Sequence, residues 1–324
     1  MSFVYIVSLA GISWVYTIAQ QWFRPNLATF ITLCVWSFHV FGWQSSSAYV
    51  DQVRFLFDIA ALWFVIHKVR TRLFLTITAI LFGFALSTKL IALFFLPGIF
   101  IWFSYEYGWK VAIKMTMVSL GVAAPWYLQA YQWTGNPLYP LFQQLDGQEQ
   151  LVLAGVSSLW TWIGRQLVRI PFLPYLLATN IESYTSPLYV LGYLSVCMKN
   201  MRWKPLYAYV AYAGVILLLL PPFSFRYAWS AMVILFLVLT KQYLDVFSKK
   251  KIAMMVFMCV GISGVLFQVV TRIGFVVSIL PVLRGNISSE VYVQQQKTPL
   301  SRGPFDRWYG GYWKSYRYTP SSQE

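Results

Sequence analysis

Charge is what this chain has least of. Asp, Glu, Lys and Arg make up 11% of its 324 residues, and only ten of those residues are acidic. Soluble domains carry about 25% charged residues, so an ordinary soluble domain is excluded. Cysteine is scarce too. Cys34, Cys197 and Cys259 each lie inside an apolar run with no CxxC or Cys/His spacing. Neither a disulfide framework nor a zinc site follows, and the three read as small core residues. The two histidines are isolated: His39 reads as a polar core residue and His67 as part of a basic loop. The chain has no metal-ligand cluster, phosphate-cradling glycine loop or nucleophile elbow. It has no internal repeat or low-complexity run either.

What is present is apolar surface. The chain is 58% hydrophobic and 19% aromatic, with a mean hydropathy of +0.58. Runs of roughly membrane length fall near 3–20, 27–43, 53–66, 73–88, 90–104, 112–130, 186–198, 205–220, 225–240 and 252–270. In lipid a spanning segment must satisfy its own backbone polar groups, so each run is expected to be a helix. The expected fold class is therefore all-α: a polytopic transmembrane helix bundle of about ten spans over residues 1–270. An outer loop region is expected at about 131–185, and a polar, amphipathic outer-face tail at 271–324, the remnant of a C-terminal domain.

The net charge of +15 would suggest nucleic acid in a soluble protein. Here the bases are interleaved between spans, where they orient helices, and no nucleic-acid partner is expected. Loops near 21–26, 67–72, 105–114, 199–204 and 241–251 hold most of the bases that precede the tail, and they read as cytoplasmic. Arg54, Lys89, Arg165, Arg169 and Arg226 fall on the opposite side. The first helix would then enter from outside, yet it starts at Met1 with no basic n-region, so the chain is expected to be truncated at its N-terminus.

The stretch that organises this reading is Ala123–Phe142, AAPWYLQAYQWTGNPLYPLF. Gly135 allows positive φ, while Pro137 fixes its own φ and keeps Asn136 out of the α region, so a helix must stop here. Trp126, Tyr127, Tyr131, Trp133 and Tyr139 surround the stop with rings suited to a membrane–water boundary.

The same string, PWYLQAYQWTGNPLYP, resembles the PWYxxNxxxTGNPxYP signature of bacterial multispanning glycosyltransferases of the GT-C type. That group contains the dolichyl-phosphate-mannose-protein mannosyltransferase-like and lipid A aminoarabinose transferase-like proteins. Ala130 stands where Asn is usual. Three shorter elements agree in order. Ala48-Tyr49-Val50-Asp51 is similar to the family's (S/A)xYxD, and Gly83–Lys89, GFALSTK, to its glycine-to-lysine element, with Leu90 in place of Tyr. Arg226-Tyr227 resembles RYxxPxxP without the prolines.

The resemblance implies an inverting transferase in a bacterial plasma membrane. It would move a sugar from a polyprenyl-phosphate donor to a glycan, lipid or protein acceptor at the outer face. An acid in an upstream outer loop, not present before Phe3, would be the base. Asp51 would be the catalytic acid of this chain, beside the pocket. Lys89, Arg226 and Tyr227 would hold the donor phosphate, with Tyr49, Trp126, Asn136 and Tyr139 lining pocket and loop. A divalent cation assists in some such enzymes, and no other cofactor is expected.

Plainer readings stand beside these. Asp58 pairs with Arg54 at i,i−4, Lys89 snorkels to the interface, and Arg226 with Tyr227 anchors a span. For the whole chain the alternatives are a transporter or flippase of lipid-linked saccharide, which should show paired repeats, a polymerase of O-antigen type, or a non-catalytic membrane protein.

Overall fold

In a computed structural model of the chain the described residues are 2–38, 41, 50–67, 71–139, 186–198, 205–219, 228–247 and 249–286. Among them there is helix and no strand. The α-helices are α1 (Ser2–Trp22), α2 (Pro25–Trp36), α3 (Asp51–Ile66), α4 (Arg72–Thr88), α5 (Leu96–Tyr107), α6 (Trp109–Thr134), α7 (Leu188–Met198), α8 (Pro205–Leu219), α9 (Trp229–Phe247) and α10 (Lys251–Leu283), with a 3₁₀ segment at Leu90–Phe95. A helix lies at each expected position. Among the described residues five stretches are long and apolar enough to cross a membrane: Phe3–Trp22, Leu90–Tyr107, Trp109–Thr134, Trp229–Phe247 and Lys251–Gly274. The chain forms two compact units, Met1–Val265 and Leu266–Glu324, and the division falls inside α10.

Within the first unit, side-chain contacts fix the relative directions of the helices. Trp14 meets Trp63 edge-on at 5.2 Å, and Gln21 hydrogen-bonds the His67 ring, so α1 and α3 run parallel. Phe57 against Phe84 and Phe64 against Phe74 set α3 and α4 antiparallel. The Ser119 hydroxyl donates to the Ala79 carbonyl at 2.7 Å and Tyr127 to that of Leu86 at 2.9 Å, so α4 and α6 run parallel. Trp102 stacks on Tyr209 and the Tyr212 hydroxyl donates to the Phe94 carbonyl, which sets α5 and α8 antiparallel. Two ends result. One gathers the start of α3, the ends of α4 and α6 and the start of α9. The other gathers Arg24, Arg72, Lys110, Lys241 and Lys249–Lys251.

The core is centred on α9. Two thirds (67%) of its apolar window is buried, against 22% in α6. Phe38, Phe41, Phe55 and Trp229 interlock there, with Phe38 edge-on to Phe236 at 5.2 Å. The organising centre is thus α9 rather than the end of α6.

That end does stop as its residues dictate. α6 closes on Gly135 at φ 71°, with the glycine N–H donating to the Tyr131 carbonyl at 2.7 Å. The Asn136 Oδ1 accepts from the Leu138 N–H at 2.9 Å, a side-chain-closed turn. In the second unit, α10 continues past residue 270 through Arg272 to Leu283, and Gly285 at φ 73° follows it. Arg is a good helix former and no Pro precedes Pro281 within α10, so nothing breaks the helix earlier.

Candidate functional site

The end of the first unit that carries the start of α3 also carries its buried charge. α3 opens on Asp51 with no side-chain cap at Val50, so the carboxylate itself sits in the positive field of the helix N-terminus. Its side chain is 1% exposed. The ion that meets it comes from 38 positions away: Lys89 Nζ lies 2.7 Å from Asp51 Oδ1. Lys89 is at a joint. α4 ends at Thr88, Lys89 is extended (φ −161°, ψ 129°), and its carbonyl accepts from the Ala92 N–H at 2.9 Å to begin the 3₁₀ segment. Leu86, Ala92 and Ala123 pack against one another at that joint, with Tyr127 over them. The lysine side chain keeps 28% of its surface exposed, so the pair has one dry and one wet partner.

Two turns deeper lies a second pair. Arg54 Nε is 3.4 Å from Asp58 Oδ2, and both side chains are buried. The Ser230 hydroxyl, from the first turn of α9, donates to the same Asp58 oxygen at 3.0 Å across 172 positions. The Tyr209 phenol lies beside Ser230, and the Arg54 guanidinium sits 5.0 Å over the Phe95 ring of the 3₁₀ segment. Buried charges survive only when paired and hydrogen-bonded. Here the two carboxylates and two bases bind α3 to the α4–α5 joint and to α9.

The i,i+4 pairing of Arg54 with Asp58 is as the sequence spacing reads. Snorkelling does not describe Lys89, whose ammonium reaches a carboxylate. Trp126, Tyr131, Trp133 and Tyr139 present exposed rings near the end of α6, while Tyr127 turns inward. Asn136 spends its amide oxygen on its own turn. Tyr49, Arg226, Tyr227, Arg165, Arg169 and His39 lie outside the described residues. Sequence reasoning missed Gln52, Tyr209 and Ser230. A polar residue directly beside Asp51, and another opening an apolar helix, were the available signals.

Among the described residues no group of three or more His, Cys, Asp or Glu comes together, and Asp51 is engaged by Lys89. What the arrangement offers is a lysine about a quarter exposed, its ammonium fixed by a dry carboxylate at one end of an apolar bundle. That suits the binding of a single anionic group. Comparisons with protein-family models, with characterised proteins and with solved structures give no match to this chain.

Proposed function

We propose that this chain is a membrane glycosyltransferase of the GT-C type, crossing the bilayer about ten times and binding a polyprenyl-phosphate-linked sugar at the outer face. The observation that carries the reading is the Lys89–Asp51 contact. Two short elements picked out by their resemblance, AYVD and GFALSTK, lie 38 positions apart and meet at 2.7 Å. The third, PWYLQAYQWTGNPLYP, touches the second through Tyr127 and the Leu86 carbonyl. In this reading the basic end faces the cytoplasm, as the positive-inside rule requires. The shorter helices α2, α3, α4, α7 and α8 cross with their flanking turns or sit within the bundle. Lys89 takes the donor phosphate and stabilises it as it leaves. Asp51 orients the ammonium and lies beside the reacting sugar. Arg226 and Tyr227 belong to the same phosphate site, and the acceptor is a glycan, lipid or protein at the outer face.

Binding to the protein reconstituted in nanodiscs tests this. The wild type should bind a polyprenyl-phosphate hexose or pentose. Lys89→Ala should lose about 1.5–3 kcal/mol, the range of a hydrogen bond to a charged group, or roughly 10- to 150-fold. Lys241→Ala, at the basic end, should bind as the wild type does. A Lys89→Ala chain that binds the donor normally would sink the phosphate assignment. The buried Arg54–Asp58 pair favours one rival, a transporter of lipid-linked saccharide. Flux of such a saccharide across proteoliposomes without sugar transfer would establish it instead.

A further inference from the structure

Two buried polar atoms at the Asp51 end have no hydrogen-bond partner within the protein: Gln52 Oε1 and Trp229 Nε1. Gln52 is fully buried and Trp229 nearly so. They come from the first turns of different helices, α3 and α9, and they flank the same residue. The Gln52 amide nitrogen donates to the Phe41 carbonyl at 3.3 Å, and the Phe41 ring lies 6.2 Å from the Trp229 ring. Phe55, one turn beyond Asp51, contacts both rings, at 6.0 Å from Phe41 and 5.9 Å from Trp229. One orphan is an acceptor and the other is a donor. Buried groups left in this state are costly, and native proteins leave few of them.

The group that answers both is a hydroxyl, which accepts from an indole N–H and donates to an amide oxygen. We infer that Gln52 and Trp229 form a sugar-hydroxyl subsite beside the Asp51–Lys89 pair. The inference rests on the proposed donor reading and adds to it the residues that tell sugar from bare lipid phosphate. Gln52 follows Asp51 directly, about 3.8 Å along the chain. In the proposed subsite a phosphate on Lys89 and a hydroxyl at Gln52 belong to one sugar-phosphate. An ordered water has the same chemistry, and the experiment separates the two.

The measurement is the gain in affinity that a sugar adds to a polyprenyl phosphate, taken over a panel of polyprenyl-phosphate hexoses and pentoses and the bare polyprenyl phosphate, all in nanodiscs. The variants are Trp229→Phe, which removes the N–H and keeps an aromatic ring, and Gln52→Met, which removes the acceptor at similar length. Each should reduce the gain by about five- to tenfold, one hydrogen bond's worth, while bare polyprenyl phosphate binds as before. Trp229→Phe also takes ring volume out of the core, so its melting temperature should fall modestly. A gain that persists in both variants overturns the subsite. A wild type that binds bare polyprenyl phosphate but gains nothing from any sugar also overturns it, leaving the phosphate reading intact. A wild type that binds neither overturns both.

Discussion

Four charged side chains carry most of the argument, and their burial gives them unequal weights. Asp58 is bound by Arg54 and Ser230 in the interior. Asp58→Ala leaves a buried guanidinium without its carboxylate and should destabilise the protein by about 3–5 kcal/mol, while the pair Arg54→Met with Asp58→Leu should be close to neutral. Thermal unfolding in a mild detergent compares the two, and equal losses would show that packing rather than charge holds this point. Lys241 and Asp245 form an exposed pair one turn apart in α9, so Lys241→Ala should change stability by less than about 1 kcal/mol. Asp51, Lys89 and Asp58 stand out in the sequence because charge is rare near apolar runs. Their partners are another matter. Arg54 follows from i,i+4 spacing, but the meeting of Lys89 with Asp51, and of Ser230 with Asp58, depends on how distant helices pack.

Helices were the legible part. Each apolar run is a helix because lipid or core leaves the backbone no other partner, and α6 stops where Gly135 and Pro137 dictate. Their neighbours were not legible. In a membrane the lipid is as apolar as the core, so no pattern of polarity marks α9 as central and α6 as peripheral. Small residues carry that information instead. Gly83 of α4 lies where a Cβ would stand 2.5 Å from Val122 Cβ and 2.8 Å from the Ser119 carbonyl oxygen, so the close approach of α4 and α6 at this point requires a glycine. Gly83→Ala should therefore lower stability by about 1–3 kcal/mol. Gly121→Ala, where a Cβ meets nothing within 4 Å, should be neutral or up to about 1 kcal/mol stabilising. Matching melting temperatures for the two would refute this account of the α4–α6 contact.

The first unit has a chemical polarity from end to end. At one end the described bases Arg54 and Lys89 are both paired with buried carboxylates, whereas at the other Lys249, Lys250 and Lys251 are concentrated at the start of α10. With Cys34, Cys197 and Cys259 replaced, Lys250→Cys should react with a membrane-impermeant thiol reagent only from the cytoplasm. Trp133→Cys, at a position 77% exposed, should react only from outside. Labelling of both from one side would reverse or dissolve the topology. In the proposed reading Lys89 receives the donor phosphate, and Asp51 acts on it through Lys89. A double-mutant cycle on polyprenyl-phosphate-sugar binding, using Asp51→Asn, Lys89→Ala and both together, measures this coupling. The account predicts that Asp51→Asn changes affinity in the wild-type background and has no further effect once Lys89 is alanine. An Asp51→Asn effect of equal size in both backgrounds would contradict it.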